Sequence, residues 1–122
     1  MGTDDGTSFD AERLAQYDRI IASVSGVERK GKTVPYTSLN GHMFSFLAPS
    51  GTLALRLPET ERRAFMATYG ATLHEAHGTV MKEYVTVPER LFADLSALGP
   101  HFRTSHEYVA GLKPKATTRR GT

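Results

Sequence analysis

Residues 26–33 read Gly-Val-Glu-Arg-Lys-Gly-Lys-Thr, two glycines separated by four residues and followed by lysine and threonine. That spacing is the pattern of a phosphate-binding loop. In such a loop backbone N–H groups cradle phosphates, Lys32 would reach the β/γ-phosphates and the Thr33 hydroxyl would hold magnesium. The chemistry needs a setting: a buried strand leading in, and a helix starting at the Lys-Thr end so that its free N–H groups face the phosphates. The periodicity around the motif gives the reverse. Leu14, Tyr17, Ile21 and Val24 recur at spacings of three and four, which predicts an amphipathic helix over 9–25, before the loop. After Thr33 comes Val34-Pro35, and the residue preceding a proline is driven out of the α region. No apolar run ending in Asp supplies a second magnesium ligand. The match is therefore read as accidental, and no catalytic residue, cofactor or metal is assigned. Gly26 is expected as the left-handed residue that closes the first helix. What remains of the motif is a basic patch, Arg29, Lys30 and Lys32, near the negative end of that helix dipole. It is the candidate site for an anion or an acidic partner. A nucleotide or small-anion site in this loop is the alternative reading.

Three other groups could carry chemistry. His74 and His77 invite a metal reading, but the segment reads as strand and turn, whereas a zinc-protease pair needs histidines at i and i+4 of a helix. A third ligand would have to come from His42, His101 or His106, so surface histidines are expected. Glu83 interrupts the apolar face Met81, Val85, Val87 of its strand. A buried acid with a raised pKa is one reading; an inward charge guarding an edge strand is the expected one. Tyr36, Phe44, Phe46 and Tyr84 could stack bases as on an RNA-binding sheet. Strand positions 42–48 lack interleaved Lys or Arg, however, and aromatic residues at that spacing are expected in the core.

The 122 residues suffice for one domain with a core. With no cysteine, disulfides, thiolate metal sites and cysteine nucleophiles are excluded. No stretch is long enough to cross a membrane, and the N-terminus shows no secretory signal, so a cytoplasmic protein is expected. The net charge of +2 belongs to the tail: Lys113, Lys115, Arg119 and Arg120 stand without an acid, while Asp4, Asp5 and Asp10 stand without a base. Residues 1–7 and the basic tail 113–122 are expected to be disordered. A nucleic-acid role for the tail is a second, weaker alternative.

The elements between follow from punctuation. After the first helix, strands are expected over 34–39 and 42–48, joined at Asn40-Gly41 by a type I′ turn. A third strand over 52–57 alternates Leu53, Leu55, Leu57 against Thr52, Ala54, Arg56. In the second strand Phe44 and Phe46 are assigned to one face, Met43 and Leu47 to the other. A strand apolar on both faces is normally covered on both, so its second face calls for a helix or another subunit. Pro58 opens a helix to Tyr69, closed by Gly70. Strands follow over 71–75 and 79–87. Pro88 opens a third helix with Leu91, Leu95 and Leu98, which Gly99-Pro100 is expected to break before a last helix over 101–112. The order α-β-β-β-α-β-β-α-α predicts an α+β domain over 8–112 with an antiparallel sheet of about five strands.

Three stretches resemble the N-terminal domain of the TfoX/Sxy competence-regulator family. Asn40-Gly41-His42-Met43-Phe44-Ser45-Phe46 is similar to its Asp/Asn-Gly-Lys/Arg-Met-Phe-Ala, and Gly51-Thr52-Leu53-Ala54-Leu55-Arg56-Leu57 to its Asp-Gly-x-Leu-x-Leu-Arg. Residues 78–88, Gly-Thr-Val-Met-Lys-Glu-Tyr-Val-Thr-Val-Pro, are similar to its Gly-x-x-Met-Lys-Gly-aromatic-Val-x-Val. Order and spacing agree. The resemblance implies a secretion-chaperone-like fold, often dimeric, and no reaction. The chain departs from it at Val34-Pro35-Tyr36, where the family has Met-Phe-Gly, and at Glu83, where it has a small residue. A second, helical domain like the family's is not expected, so the competence role is not carried over. The expectation is a non-enzymatic, homodimeric interaction or regulatory module with an unidentified protein partner.

Overall fold

The computed structural model describes residues 11–31 and 34–114; the expected disorder of 1–7, the helix start near Phe9 and the tail from Lys115 lie outside them. Helix α1 (Ala11–Ala22) buries Tyr17, Ile20 and Ile21, an i, i+3, i+4 stripe. It ends earlier than Ser25. The amides of Ser23 and Val24 donate to the carbonyls of Ile20 and Ile21, and the Ser23 hydroxyl to that of Ile20. Gly26 is left-handed, at φ 85°, but it sits in the turn beyond the helix rather than closing it.

Strands β1 (Tyr36–Leu39), β2 (His42–Leu47) and β3 (Leu53–Arg56) follow, then α2 (Glu59–Tyr69), β4 (Leu73–Ala76), β5 (Thr79–Thr86), α3 (Glu89–Phe92) and α4 (Leu95–Ala110). This is the expected α+β order, with strand bounds within two residues of those read from the sequence. All neighbouring strands are antiparallel, in the order β1-β2-β3-β5-β4. Asn40 and Gly41 both have positive φ, 56° and 79°, as a type I′ turn requires. His77 and Gly78, at 53° and 77°, build a second such turn between β4 and β5. No helix among the described residues is long and apolar enough to cross a membrane.

The main core lies on one face of the sheet. Leu53, Leu55 and Leu57 are fully buried there, with Phe44, Leu47, Val85 and Val87, against Tyr17, Ile20 and Ile21 of α1, Phe65 of α2, Leu91 and Phe92 of α3, and Leu98, Phe102 and Val109 of α4. Burying each large apolar side chain contributes about 1.5–3 kcal/mol. A second, smaller cluster of Phe46, Ala48 and Ala54, flanked by Val34, Tyr36, Met43, Met81 and Tyr84, contains no helical residue.

Two bulges place these residues. The β1–β2 register jumps from Thr37↔Ser45 to Ser38↔Met43, so Phe44 is the extra residue of β2. Phe44 and Phe46 therefore do not share a face, contrary to the strict alternation read from the sequence. Phe44 meets Phe102 of α4 at a ring-centroid distance of 5.5 Å, whereas Phe46 meets Tyr84 on the opposite face at 5.7 Å. Beside the extra residue two carbonyls accept from hydroxyls on opposite sides of the sheet. Tyr84 donates to Met43 at 2.7 Å and Ser105 to Phe44 at 3.1 Å. In β5 the register jumps from His74↔Met81 to Leu73↔Val85, leaving Lys82, Glu83 and Tyr84 unpaired with β4. Met81 then shares a cluster with Tyr84 rather than with Val85. Because β5 lies between β3 and β4, Glu83 does not mark an edge strand.

The last break also differs. It falls at Ala93-Asp94, where the Asp94 side chain caps α4 by accepting from the Ala97 amide at 3.2 Å. Gly99 and Pro100 lie inside α4. The amide that Pro100 lacks would have reached the Ser96 carbonyl. Ser96 and Pro100 are both exposed, so water can serve that carbonyl and the helix continues.

Candidate functional site

The 26–31 loop leaves α1 and enters a sheet. Lys30 forms an isolated antiparallel bridge with Tyr36, through hydrogen bonds of 2.8 and 2.9 Å. A helix therefore precedes the loop and a strand follows it, the reverse of a phosphate loop. The basic patch is divided. Arg29 reaches back to Asp18 on α1 at 2.6 Å, and Lys30 Nζ donates to Ser38 Oγ on β1 at 2.9 Å. Lys32, the third member, lies outside the described residues. Beside Lys30 a hollow of about 400 Å³ is lined by Gly26, Glu28, Ser38, Asn40 and Gly41, so its lining carries an acid as well as the lysine.

His74 is not a surface histidine. It is 7% exposed, packs edge-on against Phe46 at 5.2 Å, and pairs Nδ1 with Thr86 Oγ1 at 3.1 Å. Burial lowers its pKa, which favours neutral imidazole. His77 is exposed in its turn. The remaining histidines scatter: His101 meets Tyr69 Oη at 3.0 Å, His106 packs on Phe44, and His42 meets the Lys113 carbonyl at 2.8 Å. Among the described residues no three His, Cys, Asp or Glu side chains could share a metal.

The sheet face that none of the described helices covers is the larger feature. Tyr36, Met43, Phe46, Met81 and Tyr84 meet on it. Tyr36, Phe46 and Tyr84 thus come together as the sequence allowed, while Phe44 belongs to the other side. Burial pushes the Tyr84 hydroxyl up to about 12, which keeps it protonated as a donor to Met43.

At the Gly41 end of this face lies a cleft of about 720 Å³, lined by Met43, Met81, Tyr84, Arg56, Lys82 and Glu83 with Gly41 and His42. Register places Arg56 opposite Tyr84, next to Glu83. Arg56 Nε donates to Glu83 Oε1 at 2.6 Å, and its guanidinium carbon stands 5.4 Å from the Tyr108 ring centroid. The Tyr108 hydroxyl lies 3.4 Å from Glu83 Oε2. Read from the sequence, Arg56 was only a polar-face residue of its strand. The signal that could have found this pair is the charge match across β3 and β5, which requires knowing that β3 pairs with β5 rather than with β4. No protein family, curated protein or solved structure matches this chain.

Proposed function

We propose that this chain is a protein-interaction module that acts as a homodimer, joined through the helix-free face of its sheet. The observation that carries this reading is the segregation of the fold. All four described helices contribute to the cluster on one face, and none contributes to the other. The second face is built from Val34, Tyr36, Met43, Phe46, Met81 and Tyr84, half-buried side chains apart from the more deeply buried Phe46. Aromatic residues and methionine are enriched in interfaces and free charge is depleted at their centres. The nearby Arg56 and Glu83 are already paired. A second copy meeting the same face through a two-fold axis would set apolar surface on apolar surface, with Lys82 beside it. The resemblance of residues 40–46, 51–57 and 78–88 to the TfoX/Sxy N-terminal domain supports the same reading, since that domain is often dimeric. A protein partner of the dimer belongs to this proposal; an enzymatic activity does not.

Light scattering coupled to gel filtration tests it. The wild-type chain is expected to weigh as a dimer across the micromolar range. Tyr36→Glu, which puts a charge on the β1 side of the face, is expected to weigh as a monomer with its far-UV spectrum intact. A wild-type monomer throughout that range, or a Tyr36→Glu dimer as tight as wild type, overturns the proposal.

A further inference from the structure

We propose that the cleft at the Gly41 end of the open face binds a small monocarboxylate with an apolar body, its carboxylate held by Arg56. A guanidinium carries five N–H donors in a planar fork. Glu83 takes Nε, and the ring of Tyr108 lies alongside the guanidinium, which restrains its plane. Among the described residues the terminal amino groups of Arg56 make no hydrogen bond. One edge of a restrained guanidinium, on a side chain 18% exposed, is thus left for an acceptor, and a planar carboxylate matches that edge with two parallel hydrogen bonds.

The rest of the cleft defines the body of the ligand. Met43 and Met81 are flexible apolar side chains that adapt to varied shapes, and the Tyr84 ring is fixed by its hydrogen bond to the Met43 carbonyl. The volume, about 720 Å³, is in the range of about 300–1,000 Å³ usual for small-molecule sites. Charge decides the head group. Arg56 and Lys82 are cations and Glu83 is the one acid in the lining, so a single negative charge is attracted. Inorganic phosphate has no apolar body to set against Met43, Met81 and Tyr84, so it gains only the charge interaction. The internal Glu83 carboxylate already shows which chemistry Arg56 accepts.

Met43, Met81 and Tyr84 also belong to the face proposed to dimerise, so the titration is run on the Tyr36→Glu chain as well as on wild type, and light scattering on the same samples separates failure of one proposal from failure of the other. The test is a titration of the ¹⁵N-labelled chain with octanoate, followed by amide chemical shifts, with octanamide and inorganic phosphate as controls. Octanoate is expected to shift the amides of Met43, Arg56 and residues 81–84 saturably, and octanamide to bind far more weakly. Arg56→Gln is expected to lower octanoate affinity about tenfold or more, the worth of a charge-assisted hydrogen bond. Lys82→Gln, at an exposed position, is expected to lower it less while leaving the fold untouched. Glu83→Gln removes the internal competitor and is expected to tighten octanoate binding. Absence of saturable shifts in the cleft, equal binding of octanamide, equal shifts from phosphate, or weaker octanoate binding by Glu83→Gln each overturns the proposal.

Discussion

Single hydroxyls hold the sheet together where its ladder fails. The extra residue Phe44 puts two backbone carbonyls beside a break in register, and a buried carbonyl without a donor costs about 1–3 kcal/mol. Ser105 supplies one donor from α4 and Tyr84 the other from β5. Close by, Tyr17 Oη lies 2.7 Å from Ser45 Oγ, which also contacts Thr37 Oγ1. These hydroxyls are buried, and burial raises the Tyr17 pKa above its ordinary value. The chain thus places Ser, Thr and Tyr in its core only where each finds a partner. Ser105→Ala is expected to lower stability by about 1–3 kcal/mol, because the Phe44 carbonyl keeps its burial and loses its donor. Urea unfolding measures this. A midpoint equal to wild type would mean that the carbonyl is served without Ser105. The same bulge marks where the sequence was hardest to read. Alternation assigns Phe44 and Phe46 to one face, and no local residue signals the inserted position. The signal is a serine 61 residues downstream.

At the scale of elements, strand β3 and the Asn40-Gly41 turn were legible because local chemistry alone decides them. Three leucines at period two can bury only one face, and the I′ turn demands residues that tolerate positive φ. The second hairpin was less legible because His77-Gly78 lacks the Asn-Gly or Asp-Gly pair that advertises such a turn. The end of the chain was misread for a different reason. Gly99-Pro100 is a strong breaker by local rules, yet the tertiary stripe Leu98, Phe102, Ser105, Val109 keeps the helix running through it. The capped start at Asp94 and this buried stripe outweigh one missing hydrogen bond at the surface. Two substitutions of opposite sign test this. Asp94→Ala is expected to destabilise by about 1 kcal/mol through loss of the cap. Gly99→Ala is expected to stabilise by about 0.4–1 kcal/mol, since a Cβ there meets nothing within 4 Å and the unfolded chain loses freedom. Were Gly99 the left-handed end of a shorter helix, the same change would destabilise. Thermal unfolding of the two variants distinguishes the cases.

The whole molecule is a sheet with unequal faces, and a histidine is set into each. His74 lies against Phe46 on the open face. His101 lies on the helix side, packed edge-on against Phe65 and Tyr69. Burial lowers both pKa values from the ordinary 6.5. Below pH 6.5 the unfolded chain therefore binds protons that the folded chain resists. Stability rises with pH wherever the unfolded state holds more protons. The contribution of these two sites is fully present above 6.5 and is lost as pH falls from there through the folded values. The melting temperature is expected to be flat from pH 8 to 7 and to drop as the pH falls below 6.5. Replacing both histidines by glutamine should flatten the acid side of the profile. A double variant that loses stability with pH as steeply as wild type would place the acid sensitivity in the carboxylates instead. The single variants divide the effect by face. His101→Gln alone should relieve only the part that melts the helix layer. His74→Gln alone should relieve the part that belongs to the open face, so the mass of the proposed dimer followed against pH should track His74 and not His101.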